Sequence, residues 1–356
     1  MSLDEIRKDI DEVDKKILQF LNKRAELAKR IGKLKAEHGT DFYIPHREKK
    51  IIAGLIKNND GKLPSSSIES IYREILNACR SLESRLKVAY LGPEATFTHQ
   101  AALKNFGTGT HYIPQKSIAD VFNEVEKKRV DYGIVPIENS TEGIINHTLD
   151  MFIGSDLLIC AEVGMQVEHC LLSNSEDIKQ IRKIFSHSQA LVQCRNWLEE
   201  NIPNVEIVET SSTAEAAKCA VQENGSAAIA SKAAAMLYNL EIIAERIEDS
   251  KENYTRFLVI GRNSAKMSGR GHDKTSVMIS IKDRVGALHD ILMAFKANKI
   301  NLTKIESRPT KKRVWEYIFF IDFLGHVSEK RVEKALSQLS KNCTFVKVLG
   351  SYPRAE

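Results

Sequence analysis

Several absences narrow this sequence before any motif is read. No apolar run in its 356 residues approaches a membrane span, so no membrane partner is expected. Met1-Ser2-Leu3-Asp4-Glu5 lacks the basic-then-apolar pattern of a secretory signal, which makes a cytoplasmic location the expectation. The six cysteines (Cys79, Cys160, Cys170, Cys194, Cys219, Cys343) contain no CxxC pair, which argues for reduced packing residues and against a zinc site or disulfide framework. No His, Cys and carboxylate set has metal-ligand spacing, and neither GxGxxG nor a P-loop occurs. There is no basic block with interleaved aromatics, and the net charge of +5 is mild, so nucleic acid is not expected while small anions remain compatible. What remains is ordinary globular composition, 42% hydrophobic and 28% charged, long enough for two or three domains with real cores.

From Leu3 to about Glu37 there is no proline, and only Gly32 interrupts a 4-3-4-3 spacing of Ile6, Ile10, Val13, Ile17, Phe20, Leu27, Ile31 and Leu34. That spacing predicts one long amphipathic helix with a coiled-coil-like seam. Arg24 breaks the seam, and Lys35 lies eleven residues on, about 20° further round the helix, so the two cations share a face. Long basic side chains often snorkel out of such a seam; the sharper reading is an anion site inside a helical bundle. Arg7 is seventeen residues before Arg24, roughly 25 Å along a straight helix, so both can serve one small molecule only if Arg7 comes from a second chain. Pro45 suits the first turn of a second helix that carries Arg47 and Glu48. A third helix is expected from the capping cluster Ser65–Ser67, with Glu83 bordering its apolar face four residues after Cys79.

This segment resembles the all-helical chorismate mutase family, whose pattern is matched by Arg7, Arg24, Lys35, Arg47, Glu48 and Glu83. The resemblance implies a three-helix chain that dimerises by sharing its first helix. It also implies a pericyclic rearrangement of a dianion that needs positioning and charge stabilisation, not a cofactor. Arg7 of a partner, Arg24 and Arg47 would hold carboxylates, Lys35 would donate to the ether oxygen, and Glu48 would take the substrate hydroxyl. Some family members carry Gln at the Glu83 position. A Glu donates there only when protonated, so a mildly acidic optimum that Glu83→Gln would flatten is expected.

From Lys87 to Gly261 strands and helices alternate, and the strand ends are polar: Gly92–His99, Glu138–Gly143, Ser186–Gln189, Thr210–Thr213 and Ser231. In open α/β sheets ligands sit beyond the carboxyl ends of strands. An ordinary helix cap by Thr96 or Thr98, or a solvated loop at 138–143, would give the same pattern. His187 or His169 could act as acid or base, although a lone histidine more often packs or hydrogen-bonds. The stretch Asn253-Tyr254-Thr255-Arg256-Phe257 then opens an apolar strand, bringing a hydroxyl and a guanidinium back toward a cleft between two lobes. A cap and a surface arginine would also fit.

GPEATFTH at 92–99, PIENSTEG at 136–143, Ser186-His187 with Gln189, Ser212-Thr213-Ala214 and Thr255-Arg256-Phe257 resemble prephenate dehydratase. Ala95 stands where Gly is frequent in that family. The resemblance implies a periplasmic-binding-protein-like pair of lobes and the expulsion of carbon dioxide and hydroxide from prephenate. Thr255 would be the leading catalytic residue, hydrogen-bonding the leaving hydroxyl. Arg256 would be a carboxylate clamp or a structural pair; Thr96, Asn139, Ser140, Ser212 and Thr213 would line the cleft as donors, and Glu138 would be a weaker proton partner.

The last segment predicts β-α-β-β-α-β, the ferredoxin-like order: strand Thr275–Ile281, helix Gly286–Ala297, strands Ile300–Ser307 and Val314–Asp322, helix Ser328–Leu339 and strand Thr344–Leu349. Gly286-Ala287-Leu288 after Val285, and Glu306-Ser307-Arg308 before Pro309, resemble the two signatures of the ACT domain. They imply an allosteric phenylalanine site between paired domains, against the plainer reading of a dimerisation module.

The expected fold class is therefore multidomain. An all-α mutase domain spans 1–86, a two-lobed α/β dehydratase domain spans 87–262 with its second lobe at about 166–248, and an α+β ferredoxin-like ACT domain spans 275–356 after a linker at 263–274. Together the resemblances imply an enzyme that takes chorismate to prephenate and prephenate to phenylpyruvate, inhibited by phenylalanine and assembled as a homodimer or higher oligomer. A solute or amino-acid sensor of the same architecture, and an enzyme whose helical domain is only a dimer clamp, are the competing readings.

Overall fold

The structure is a computed structural model that describes residues 2–38, 43–175, 177–269, 271–281, 284–309 and 317–355. The chain forms two compact units, residues 1–87 with 106–111 and the remainder, 88–105 with 112–356.

In the first unit α1 (Leu3–His38), α2 (Pro45–Lys57) and α3 (Ser65–Glu83) follow the expected helical periodicity. Proline occupies the first turn of α2. The start of α3 differs from expectation: Pro64 is its N-cap, with no side-chain cap, so the serines fall inside the first turn. Only Ala28 and Gly32 of α1 are buried, and they are where α3 crosses it. A Cβ at Gly32 would lie 2.7 Å from the Cα of Glu83, so the glycine lets the two backbones meet and fixes where Glu83 stands. The α1 seam stays open in a single chain: Ile10, Val13 and Phe20 are 54%, 52% and 71% exposed.

The second unit continues with β1 (Lys87–Leu91), α4 (Phe97–Phe106), β2 (His111–Gln115), α5 (Ile118–Glu126), β3 (Tyr132–Asn139), β4 (Gly143–Ile144), α6 (Asn146–Gly154) and β5 (Leu158–Gln166). Next come β6 (Cys170–Ser173), β7 (Lys183–Ser186), α7 (Ser188–Gln193), α8 (Arg195–Asn201), β8 (Glu206–Glu209), α9 (Thr213–Gln222), β9 (Ser226–Ala230), α10 (Lys232–Tyr238) and β10 (Glu241–Ala244). After β11 (Tyr254–Gly261) the chain forms β12 (Asp273–Ile281), α11 (Ala287–Ala297), β13 (Leu302–Pro309), β14 (Tyr317–Leu324), α12 (Lys330–Asn342) and β15 (Cys343–Pro353). Residues 314–316 of the expected strand Val314–Asp322 lie outside the described residues.

Three sheets organise these elements, with orders β2-β1-β3-β11-β5, β10-β6-β9-β7-β8 and β13-β14-β12-β15. In the first, β1 and β3 are parallel, and β11 returns antiparallel between β3 and β5. The start of β11 therefore reaches the rim where β3 ends, which is how residues more than a hundred positions apart share one site. The second sheet carries the other lobe, with Ala-rich α9 and α10 against one face, so small side chains let helix and sheet approach closely. The third sheet has the ferredoxin-like order and shares a core with the first, Ile137, Ile159 and Leu258 packing with Met278, Phe320 and Tyr352. At Gly350 a Cβ would lie 2.3 Å from the Ile159 carbonyl oxygen, so β15 lies too close to β5 for any side chain there.

Candidate active sites

In the helical unit, Arg24 and Lys35 of α1, Arg47 and Glu48 of α2, and Arg80 and Glu83 of α3 line a pocket of about 170 Å³. Lys35 donates to Glu83 Oε2 at 2.6 Å. Arg80, with a side chain only 4% exposed, donates to Glu48 Oε1 at 2.8 Å. Burial pushes the Glu48 carboxyl up and the neighbouring Glu83 adds to this, while Arg80, Arg73 and Lys35 pull it down; the balance lies above the ordinary carboxylate range. Arg7 is not in this pocket: it is exposed and pairs with Asp4. Arg80 was missed by the sequence reading, although it follows Leu76 by four residues and so lies on the buried stripe of α3. A charge at such a position was the available signal.

The second site is a cleft of about 930 Å³ with Thr96, Asn139, His169, Gln193, Thr213 and Thr255 among its lining residues. Its polar groups are oriented by one another. Asn139 Oδ1 accepts from the backbone N–H of Thr141 at 3.0 Å and of Glu142 at 3.1 Å, which fixes the amide. Its Nδ2 then donates to Thr255 Oγ1 at 2.8 Å and to Asn253 Oδ1 at 2.7 Å. Thr255 accepts in this bond, so its own hydroxyl proton is available to a group in the cleft. Asn253 Nδ2 donates in turn to Gln193 Oε1 at 2.9 Å. His169 Nε2 sits 2.9 Å from the same oxygen and must be its donor, which sets the tautomer. Burial pushes the His169 ring below its ordinary value, so it is neutral. Gln193 and Asn253 were not singled out as site residues from sequence, because a chain of amides has no spacing signature.

Thr96 lines the cleft, but its hydroxyl donates back to Leu91 O and Pro93 O and accepts from His99 N. It acts as a cap on α4, the plainer of the two expectations. Ser212 and Thr213 line the opposite lobe, and Ser212 Oγ caps α9 by accepting from Glu215 N at 3.1 Å. Three expected site residues stand off the cleft wall. Ser140 Oγ donates to Glu252 O at 2.8 Å and accepts from Tyr254 N, tying the turn to β11. Glu138 and Arg256 face the other side of the sheet. The cause is a bulge: Thr255 pairs with Asn139 and Arg256 with Glu138, but Phe257 pairs with Pro136, leaving Ile137 as an extra residue on β3. The extra residue re-phases β3, so Asn139 faces the cleft while Ile137 and Glu138 both face away.

Behind the sheet Arg256 donates to Glu138 Oε1 at 2.6 Å, Glu162 Oε2 at 3.1 Å and Asp322 Oδ2 at 3.1 Å. Lys274 donates to Glu162 at 2.8 Å and Lys304 to Glu138 at 2.5 Å, so three cations meet three carboxylates. Burial works to raise Glu138, but Arg256 and Lys304 outweigh it and hold the carboxyl down at about 2. Glu138 is thus an ionised acceptor at neutral pH and not a proton donor, which corrects the expectation for it.

In the third sheet, alternation along β13 puts Lys304, Glu306 and Arg308 on one half-buried face and Ile305 and Ser307 on the exposed one. Arg308 donates to Asp150 Oδ1 at 2.6 Å. Gly286 caps α11 with φ of 79°, a conformation that favours glycine, and Ala287 and Leu288 form the first turn.

Residues 6–84 match the family model for chorismate mutase type II, residues 88–265 that for prephenate dehydratase, and residues 275–341 that for the ACT domain. A bifunctional chorismate mutase/prephenate dehydratase of Aquifex aeolicus (strain VF5) is 50% identical over 99% of this chain and 98% of its own. Among solved structures, a prephenate dehydratase of Arthrobacter aurescens in complex with L-Phe superposes with a TM-score of 0.71 at 34% identity, covering 76% of this chain and 90% of that one. GqqA, described as a novel type of quorum quenching acylase, gives 0.68 at 27% identity, covering 76% and 98%. A shared fold with a differently described activity leaves the reaction to be argued from the residues.

Proposed function

The chain belongs to the bifunctional chorismate mutase/prephenate dehydratase family, and on that premise we infer how its two sites perform the two reactions. It is an enzyme of both activities. The helical domain rearranges chorismate to prephenate, the two-lobed domain converts prephenate to phenylpyruvate, and the ACT domain brings feedback inhibition by phenylalanine.

In the mutase site Arg24 and Arg47 hold the substrate carboxylates, Lys35 donates to the ether oxygen where negative charge develops, and Glu48 accepts the substrate hydroxyl. Glu83, bonded to Lys35, completes that end of the pocket and donates to the ether oxygen when protonated. Arg7 is supplied by a second chain. Support for a homodimer comes from the exposed seam of α1 and from Arg7 standing outside its own pocket. The six free cysteines favour a cytoplasmic setting.

In the dehydratase cleft the C–CO₂ bond breaks, its electron pair enters the ring, and hydroxide leaves as the ring becomes aromatic. A proton taken up from solvent completes water. Thr255 donates its hydrogen bond to the departing oxygen, and Asn139 keeps the hydroxyl turned that way. That fixed Asn139-to-Thr255 bond of 2.8 Å is the observation that carries the reading. The substrate is a dianion, and Lys116 together with the N-terminal turns of α4 and α9 offers its carboxylates positive potential from the cleft lining. Glu138 and Arg256 take no part in binding; they secure the strands from behind. Phenylalanine binds at Gly286, Ala287 and Leu288 with Glu306, Ser307 and Arg308 where two ACT domains pair. Of the second group, Ser307 alone lies on the exposed face of β13.

The test is an assay of the purified protein on chorismate, following prephenate and phenylpyruvate with and without phenylalanine. Phenylpyruvate formation suppressed by phenylalanine, and slowed about 10²- to 10³-fold in Thr255→Val with prephenate still produced, is the expected result. Phenylpyruvate at an undiminished rate from Thr255→Val would remove Thr255 from the chemistry.

A further inference from the structure

Arg80 is the most enclosed charged side chain of the mutase pocket, and neither the matched family pattern nor the reaction as derived above gives it a task. Its guanidinium donates to Glu48 Oε1 at 2.8 Å, Asn77 Oδ1 at 2.6 Å and the Phe106 carbonyl at 2.9 Å. The rings of Tyr43 and Phe106 lie 5.1 Å and 5.7 Å from it. Three acceptors on three separate stretches of chain, with two aromatic rings against the guanidinium, hold it in a single position. Asn77 is itself fenced in, because a Cβ at Gly107 would fall 2.4 Å from its side chain. Residues 106–111, well beyond the 6–84 match, therefore belong to the structure that holds this arginine.

We propose that Arg80 is a positioning residue of the mutase reaction: it fixes one oxygen of Glu48 and leaves the second oxygen to take the substrate hydroxyl. The proposal rests on the acceptor role of Glu48. The charged groups that act on Glu48 are Arg80, Arg73 and Glu83 from α3 and Lys35 from α1, with Arg24 and Arg47 lining the same pocket. Burial already raises the Glu48 carboxyl, and Arg80 is the largest influence opposing it. Removing Arg80 raises it further. The ionised carboxylate is the stronger acceptor, so the variant's mutase activity should climb as pH increases, a pH dependence that a purely structural arginine would not confer.

The experiment measures mutase kcat/KM against pH in the full chain for Arg80→Gln, Arg80→Lys, Glu48→Gln and the double variant, with dehydratase turnover of prephenate as the folding control. Arg80→Gln should lose about 10- to 100-fold at neutral pH and recover part of it as pH rises. Arg80→Lys keeps a charge but cannot span the three acceptors. It should lose less and keep a flat profile, and if Arg80→Gln fails to fold it carries the test by failing to add to Glu48→Gln. In the Glu48→Gln background Arg80→Gln should cost little more, because the two act as one unit. An unchanged pH profile in Arg80→Gln, or a loss in either Arg80 variant that adds fully to Glu48→Gln, would overturn the proposal and leave Arg80 a packing residue. Wild-type mutase activity in Glu48→Gln is a different failure: it removes Glu48 from the reaction, and the proposal with it.

Discussion

The two sites of this chain handle dianionic substrates in opposite ways. The mutase pocket puts its charges on the wall: Arg24, Lys35 and Arg47 face a space of about 170 Å³, against Glu48 and Glu83. The dehydratase cleft of about 930 Å³ has a largely apolar lining whose polar groups are mainly amides and hydroxyls, and a dense charge cluster around Arg256 stands behind the sheet. A small pocket can aim a few guanidinium groups at fixed points, which suits a rearrangement that needs one compact conformer. A wide cleft between lobes presents neutral donors that order each other. Charge in so wide a cleft is screened by water, and here the charge serves the scaffold instead. One residue type, arginine, lines the pocket in one site and braces strands behind the other.

Arg256→Met breaks that comparison most severely if it is mistaken. The substitution leaves Glu138 and Asp322 facing each other without their shared cation, and removing one partner of a buried ion pair costs about 3 to 5 kcal/mol. Thermal unfolding of the dehydratase–ACT unit should shift down by many degrees. Glu138, held at about 2 in the folded protein against an ordinary 4.5, contributes stability above pH 4.5 that is lost as pH falls toward 2. Without Arg256 the folded carboxyl lies closer to its ordinary value, so that window narrows and stability should depend less steeply on pH between 4.5 and 2. A variant that keeps its melting temperature but binds prephenate much more weakly would return Arg256 to the cleft as a clamp.

Thr255→Val tests the other half. Valine keeps the shape and removes the proton, and loss of a single donor to developing charge lowers turnover by about 10²- to 10³-fold. Dehydratase kcat should fall by that amount with KM little changed, while mutase rates stay at wild type. A rise in KM at unchanged kcat would make Thr255 a binding residue only.

Much of this arrangement was legible in the sequence, and the rest was hidden for identifiable reasons. The seam of α1 and the βαββαβ order came from hydrophobic period alone, because one buried stripe per helix or strand dictates both. The pocket side chains Arg24, Lys35, Arg47, Glu48 and Glu83 came from period together with family resemblance. What stayed hidden depends on contacts made through space. The bulge at Ile137 is one extra residue, and nothing local separates PIEN in a regular strand from PIEN in a re-phased one. Strict alternation would have put Glu138 and Pro136 on the same face, and only pairing with β11 reveals otherwise. Arg80 gains its meaning from Phe106, 26 residues on. The Gln193–Asn253–Asn139 chain joins three distant segments by neutral amides, which leave no trace in charge or hydropathy.

Gly32→Ala sharpens the view of the mutase as a site set by backbone approach. Alanine favours the helix over glycine by about 1 kcal/mol. Its Cβ, however, would meet the Glu83 backbone at 2.7 Å, and backbone cannot step aside as a flexible side chain can. Helix α3 must move, taking the Lys35–Glu83 pair with it. Stability should change little while mutase kcat/KM falls about tenfold, and dehydratase turnover should be unaffected. Equal losses in both activities would show a global effect instead.

The smallest effect expected is at Ala95, on the dehydratase side. Its φ of 64° lies in the left-handed region, where an alanine is held against a preference of about 1 to 2 kcal/mol. Ala95→Gly relieves that, but it frees the unfolded chain and removes a methyl that is packed against the second-lobe core. These contributions are of similar size and opposite sign, so the melting temperature should move by no more than about 2 °C. The turn is also held by Ser231 Oγ donating to the Ala95 carbonyl and by Ala95 N donating to His99 Nδ1, so its geometry should survive. Dehydratase kcat/KM should then stay within about twofold of wild type, as suits a cleft ordered by many mutual hydrogen bonds. A loss of tenfold or more at unchanged melting temperature would mean that the stiffness of this one turn, and not the amide chain behind Thr255, sets the precision of the cleft.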